Sequence, residues 1–395
     1  METSPTPKSL FVPSETYVST ETVNLIEIIL DLFINFVISV VGVVTNILVI
    51  AVFIKQGFRD SVSVSMTTIA AWDLLKCWSG ALQRLVGPME LLYPREAQSW
   101  RNISHIVLGH TIIFSTVVTS ALAAYVAVER CLCVCFPLHV KWLLTRKISA
   151  FMCITISVVV FGSFCVMYGA YDLVWVWNAR FNGTVAIYRY SSFALASEGD
   201  LFPYYNMIGI VWPFLSFGVI TFCTCVISHR LYQASRFRNK QKERDEKRGQ
   251  LSPRDRQVVK MLLVIVAIYI VSLFPRIAVY VVRIFIDDFY FLGKYHNMFK
   301  RAAHMGFFNN DGAASAPHRV DDVGNLMLWD SVPSIVSYSV FVLDLTNSAI
   351  NLFVFLAMSS SFRETFYQMT TASHPPATHP PISGSDNAGR NQEMT

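Results

Sequence analysis

Charge is scarce in this sequence: only 15% of its 395 residues are Asp, Glu, Lys or Arg, while 53% are hydrophobic. A soluble domain carries about a quarter charged residues, so a soluble enzyme is not the expected reading. Catalytic metal spacing is also missing. The nine histidines are scattered and no His-Glu-x-x-His arrangement occurs, so neither a zinc centre nor any other enzymatic site is expected. No internal repeat is visible, which counts against a transporter built from inverted halves and leaves transport a distant alternative. No short, basic, cleavable leader precedes the first apolar run, because Met1 to Asn24 is polar and rich in hydroxyls. That run is expected to act as an uncleaved anchor.

Apolar sequence, by contrast, comes in membrane-length blocks. Runs of roughly 20 apolar residues fall at about 28–54, 62–86, 103–135, 148–171, 202–232, 258–285 and 333–358. In lipid each must be helical, since only a helix satisfies its own backbone groups within one segment. The expected fold is an all-α membrane protein, a seven-transmembrane helix bundle over residues 28–367. Residues 1–27 form its N-terminus and 286–332 a long loop. After the seventh span, Ser361-Phe-Arg-Glu-Thr-Phe366 reads as a short amphipathic helix on the membrane surface. The remaining tail, 368–395, is rich in Ser, Thr, Pro and Gly and is expected to be disordered, cytoplasmic and open to a kinase and arrestin.

Loop charges give the orientation. With the first loop taken as cytoplasmic, 19 Lys and Arg lie on that side and 11 on the other, Lys76 and Arg276 falling within spans. The positive-inside bias puts the N-terminus and the 286–332 loop outside, in a multi-pass protein expected at the plasma membrane. Two glycosylation sequons, at Asn102 and Asn182, both fall on the assigned exterior. All eight cysteines lie in spans or at cytoplasmic ends, so no exterior disulfide is expected. None follows residue 225, so the tail has no palmitoylation site.

Polar residues inside the spans carry the functional signal, because each is costly in lipid. Glu129-Arg130 closes the third span; it reads either as headgroup contact or as a charge latch on the cytoplasmic face. Asn46 stands deep in the first span, and Asp73 and Lys76 sit at i, i+3 in the second. Pro213 and Pro275 interrupt the fifth and sixth. Asp344, Asn347, Ser348 and Asn351 form one polar stripe in the seventh.

In order and on the right spans, Asn46, Asp73, Glu129-Arg130, Pro213, Pro275, Asn347-Ser-Ala-Ile-Asn351 and Phe362-Arg363 resemble the rhodopsin-like (class A) G-protein-coupled receptors. The resemblance covers roughly residues 28–367, apart from the long exterior loop. It implies that Arg130 is the switch arginine engaging a heterotrimeric G protein once the sixth helix swings out. It also places Asp255 where an acid clasps that arginine, beside a Glu129–Arg130 pair. Asp73, Thr119, Asn347 and Ser348 match the family's sodium pocket, so an allosteric sodium ion at Asp73 is the one ion implied. No other metal or cofactor is. Lys76 complicates this, since its ammonium can replace the ion.

The departures narrow the reading. His105 stands in place of the exterior cysteine above the third span, and Leu273 replaces the toggle tryptophan. Asn351-Leu352-Phe-Val-Phe355 lacks the family's proline and tyrosine, Thr221 replaces an activation tyrosine, and Ser157 lies near the place of the fourth span's tryptophan. The chain therefore resembles a divergent member, near invertebrate peptide or chemosensory receptors. Ile112 occupies the position where aminergic receptors carry an Asp, and Leu345 that of the opsins' retinal lysine, so neither monoamines nor retinal are implied.

For the ligand pocket the expected residues are Lys76, Ile112, Arg276, Tyr280, Arg283 and Asp344. Arg276, Tyr280 and Arg283 share one face at i, i+4, i+7, and guanidiniums there favour an anionic or carbonyl-rich ligand. Arg283 is near enough to water to snorkel, whereas Arg276 is too deep. A Lys76–Asp344 pair is expected either as the pocket floor or as a static buried pair. The exterior loop either caps a peptide or is an insertion without a role. The functional expectation is a receptor that binds an extracellular ligand, a neuropeptide foremost, and activates a G protein. A chemosensory receptor for a small anionic ligand is the alternative. The basic stretch from Arg230 to Lys260 suits anionic membrane lipid and the rim of a G-protein cavity alike; nothing points to nucleic acid.

Overall fold

The computed structural model describes residues 25–58, 60–136, 144–242, 331–371 and a set of positions between 267 and 281. Among these residues five helices are long and apolar enough to cross a membrane: Ile28–Gln56, Pro94–Cys135, Arg146–Ala170, Gly199–Arg230 and Ser339–Ala357. Their lipid-facing stripes are apolar and exposed, as with Val37, Val41 and Val44 on the first and Phe151, Ile154 and Val158 on the third of them. Only lipid suits such surfaces in helices otherwise packed together.

The helices follow in order as α1 (Phe36–Gln56), α2 (Ser61–Arg84), α3 (His110–Cys135), α4 (Arg146–Phe164) and α5 (Glu198–Lys242). A π-helical segment, Glu27–Asn35, runs into α1, and Pro94–Ser104 with the π turn His105–Gly109 runs into α3. The expected seventh span is divided at Ile350 into α6 (Ser331–Ala349) and α7 (Asn351–Met358). The surface helix follows as α8 (Ser360–Thr371), longer than the six residues expected of it. Most of the expected sixth span lies outside the described residues.

Helix α2 sits at the centre, packed on α1, α3, α4 and α6. It starts at Asp60, where Asp60 and Ser63 form a reciprocal capping box. Close approach to α1 rests on two glycines. A Cβ on Gly42 would collide with Cys77 Sγ, and one on Gly80 would lie 2.6 Å from Ser39 Oγ. Small residues of this kind let membrane helices touch by backbone, where lipid gives no hydrophobic drive to associate.

At the end of the bundle where α1 stops, Phe53, Phe355 and Phe362 meet edge to face or tilted, with ring centroids 5.3–5.6 Å apart. Gln56 Nε2 donates to Ser361 O at 3.2 Å and to Thr365 Oγ1 at 3.1 Å. These contacts fasten α8 to the end of α1, and Phe362, 2% exposed, is the plug.

One element was not expected. Between α4 and α5 the chain forms an antiparallel hairpin, β1 (Tyr171–Asn178) and β2 (Gly183–Tyr190), with Tyr171 opposite Tyr190 and Asn178 opposite Gly183. Its turn is made by Asn182 in the left-handed region (φ 46°), a conformation Asn tolerates. The signal was present in the alternation of Val and Trp through 174–177 and in the Asn-Gly pair at 182–183.

Candidate functional site

Among the described residues three polar assemblies stand out, one midway along the bundle, one at the end that loop charge assigns to the cytoplasm, called inner, and one at the opposite, outer end.

At mid-membrane the Asp73 carboxylate, 1% exposed, is the hub. Ser348 Oγ donates to its Oδ1 at 2.8 Å and Asn351 Nδ2 to its Oδ2 at 2.9 Å, tying α2 to α6 and α7. Asn46 Nδ2 donates to Ser348 O at 3.0 Å and to Gly42 O at 2.8 Å, which brings α1 into the same network. Asp344 is buried, and its carbonyl lies 3.1 Å from Ser348 Oγ. Asn46, Asp73, Ser348 and Asn351 are therefore brought together as expected from the sequence. Two expected members stand apart. The Thr119 hydroxyl donates to Thr116 O of its own helix, and Asn347 Oδ1 has no hydrogen-bond partner among the described residues.

Lys76 meets Asp73, where the sequence leaves its ammonium the place of an ion. Its Nζ lies 3.0 Å from Asp73 Oδ1, an ion pair within α2. An i, i+3 spacing on α2 lets the lysine stem fold back along its own helix. None of the ammonium protons meets an acceptor at hydrogen-bonding angles. The distance still decides the interaction, because Coulomb attraction across 3.0 Å in a dry core needs no alignment. A sodium ion does not fit this hub. The carboxylate already faces one covalently attached cation and accepts hydrogen bonds on both oxygens.

At the inner end the expected Glu129–Arg130 pair is not formed. Glu129 is fully buried, and its carboxylate accepts hydrogen bonds from Ser65 Oγ of α2, at 3.0 Å, and from Ser149 Oγ of α4. Tyr125 OH lies 3.1 Å from Ser149 Oγ, completing the cluster. Successive residues on a helix point about 100° apart, so an acid turned toward α2 and α4 cannot also pair with the next residue. Arg130 has no carboxylate within ion-pair distance among the described residues, and its buried Nε has no hydrogen-bond partner there. The Arg130–Asp255 clasp lies outside the described residues, as do Arg276, Tyr280, Arg283 and most of the 286–332 loop.

At the outer end the hairpin is held without a disulfide. Asn102 Nδ2 donates to Ala186 O at 2.8 Å, and Ala186 N donates to Ser99 Oγ at 3.1 Å. His105, in place of the missing cysteine, stacks on Tyr188 with centroids 6.1 Å apart. Below it a ladder of rings runs from Tyr188 through Tyr171 and Tyr190 to Phe202. A second ladder runs from His110 through Phe114 and Phe164 to Tyr205. The two hydrogen bonds, at about 1 kcal/mol each, and the His105–Tyr188 pair, at about 0.5–1.5 kcal/mol, are together comparable to a disulfide's 2–4 kcal/mol. Ile112, expected at the pocket, is fully buried among the bundle's apolar core. Of the two sequons, Asn182 is exposed at the hairpin tip, whereas the Asn102 amide is engaged in the tether.

Sequence reasoning missed two interactions. Arg84 Nη2 reaches Asp31 Oδ1 at 2.5 Å and lies over the Phe341 ring, so a residue counted with the exterior charges is buried between α2, α6 and the π-helical segment that runs into α1. Asp31, an acid inside an apolar run, was the available signal. The indole of Trp72 donates to Ser157 Oγ at 2.9 Å, which gives the serine near the missing α4 tryptophan a structural task.

Comparison with curated protein sequences returns no match. The family model described as 7 transmembrane receptor (rhodopsin family) matches residues 45–310, more than half of the chain. Members of that family are receptors and not enzymes. The match spans Asn46, Asp73, Lys76, Glu129, Arg130 and the hairpin, so the inner cluster lies within it, whereas Ser348 and Asn351 of the hub lie beyond its end. The chain belongs to the rhodopsin family of seven-transmembrane receptors and is a multi-pass membrane protein of the G-protein-coupled signalling class.

Proposed function

We propose that this receptor binds an extracellular peptide, a neuropeptide foremost, and activates a heterotrimeric G protein by outward displacement of the sixth helix. The observation that carries this reading is the separation of Glu129 from Arg130. With Glu129 held by Ser65 and Ser149, the Arg130 guanidinium stands at the inner end of α3 with a buried nitrogen unsatisfied among the described residues. A partly buried cation without an anion is costly. It is stabilised by an acceptor arriving from the cytoplasm, which is what an inserted G-protein segment supplies, while in the resting state Asp255 serves. The ligand can shift this equilibrium only by its differential affinity for the displaced state. By linkage, bound G protein tightens the ligand.

A peptide is favoured by the hairpin. Leu173, Trp175 and Trp177 line one exposed face of β1, with Trp175 65% and Trp177 63% exposed. Aromatic residues on an open strand suit an extended chain of alternating side chains. The N-terminus and hairpin lie outside, Asn182 carries the glycan, and the tail meets kinase and arrestin inside the plasma membrane. The test is nucleotide exchange by a G-protein panel with a peptide library, comparing wild type with Asp255→Asn and Arg130→Ala. Basal exchange rises in Asp255→Asn and is lost in Arg130→Ala. Absence of exchange in every variant, at normal surface expression, overturns the reading.

A further inference from the structure

We propose that Lys76 is a tethered cation doing permanently, at the Asp73 hub, what a dissociable sodium ion would do, and that this receptor is consequently insensitive to sodium. Three observations on the molecule carry this. The Lys76 side chain is fully buried and, among the described residues, is one of the largest that is. Its ammonium stands 3.0 Å from Asp73 Oδ1. The same carboxylate receives Ser348 and Asn351 from the neighbouring helices. A buried carboxylate with donors converging from α6 and α7 is what a monovalent cation would otherwise neutralise, and the ammonium supplies one positive charge at that distance.

Burying an ammonium is expensive, and a static pair on one helix adds little to stability in return. Lys76 also cannot cross-link helices, since both partners belong to α2. What it changes is the hub's dependence on solution. A bound ion is a ligand: it stabilises whichever conformation holds it, in proportion to its concentration. A cation carried on the chain has no concentration term and cannot leave when α6 and α7 shift against α2. The hub's neutralisation then stays constant through activation, and external sodium has no site at which to bias the equilibrium.

The test uses the purified full-length receptor in nanodiscs, with thermal unfolding in sodium chloride and in choline chloride at equal ionic strength. Wild type melts at the same temperature in both. Lys76→Met opens the hub and gains a sodium-specific rise of roughly 2–4 °C, which Asp73→Asn in the same background removes. A sodium-specific rise in wild type overturns the proposal, as does Lys76→Met unfolding identically in both salts. Should Lys76→Met not fold, sodium-23 NMR on wild type decides. No receptor-dependent line broadening is expected, and broadening that Asp73→Asn abolishes overturns the tethered-cation reading. The inference rests on the geometry of the hub in this chain and not on the peptide ligand, so failure of the exchange assay leaves it standing.

Discussion

The hydroxyl of Ser65 on α2 donates to Glu129 Oε2 on α3 at 3.0 Å, and the Ser149 hydroxyl on α4 reaches the other carboxylate oxygen. One buried acid thereby joins three helices at the inner end of the bundle. Cys153 Sγ, 3.7 Å from Ser65 Oγ, closes the cluster on the α4 side. The acid is thus a structural junction, and its neighbour Arg130 is left for another partner.

Removing the junction's acceptor strands its donors. Glu129→Ala is expected to cost about 2–4 kcal/mol, because the Ser65 and Ser149 hydroxyls lose their acceptor in a buried site. Glu129→Gln keeps one acceptor oxygen and should cost less. Thermal unfolding of the purified receptor checks this, and an unchanged melting temperature in Glu129→Ala would remove the carboxylate from the junction.

The two sequons should separate cleanly. Asn182→Ala is expected to abolish the mobility shift on glycosidase treatment, since that residue is exposed at the hairpin tip. Asn102→Ala should leave the glycan in place and lower stability by about 1–2 kcal/mol through loss of the bond to Ala186 O. Gel mobility before and after deglycosylation distinguishes the two, and a glycan surviving in Asn182→Ala refutes the assignment.

The surface helix depends on one ring. Phe362→Ala leaves a cavity against Phe53 and Phe355 and is expected to cost about 3–5 kcal/mol. Gln56→Ala, which removes only the hydrogen bonds to Ser361 and Thr365, should cost about 1 kcal/mol. Hydrogen exchange across 360–371 is the readout. Protection equal to wild type in Phe362→Ala would show that α8 is held by lipid alone.

How much could be read beforehand differs by the kind of signal. Apolar runs of membrane length pointed to seven spans, and five described helices of that length and character overlap those runs, as α8 overlaps the short helix expected after them. The membership of Asn46, Asp73, Ser348 and Asn351 in one hub was legible from their matched positions. The hairpin was overlooked despite its Asn-Gly turn, because attention to membrane-length runs passes over an eight-residue strand.

Pairing was the part that misled. Charge complementarity suggested Glu129 with Arg130, yet Glu129 went to two serines. Serine carries no charge and leaves no mark in a scan for ion pairs, although a buried carboxylate is well satisfied by hydroxyl donors.

The sequence by itself determined that this chain lives in a membrane, where its apolar runs lie and which residues are too polar to be idle there. Those properties depend on composition and period along one dimension. Only the tertiary structure decided which polar group meets which, because helix rotation and the close approach of α1 and α2 at Gly42 and Gly80 set the facing surfaces. In a dry interior a group must take the partner that geometry puts within about 3 Å, whatever partner its charge would have preferred.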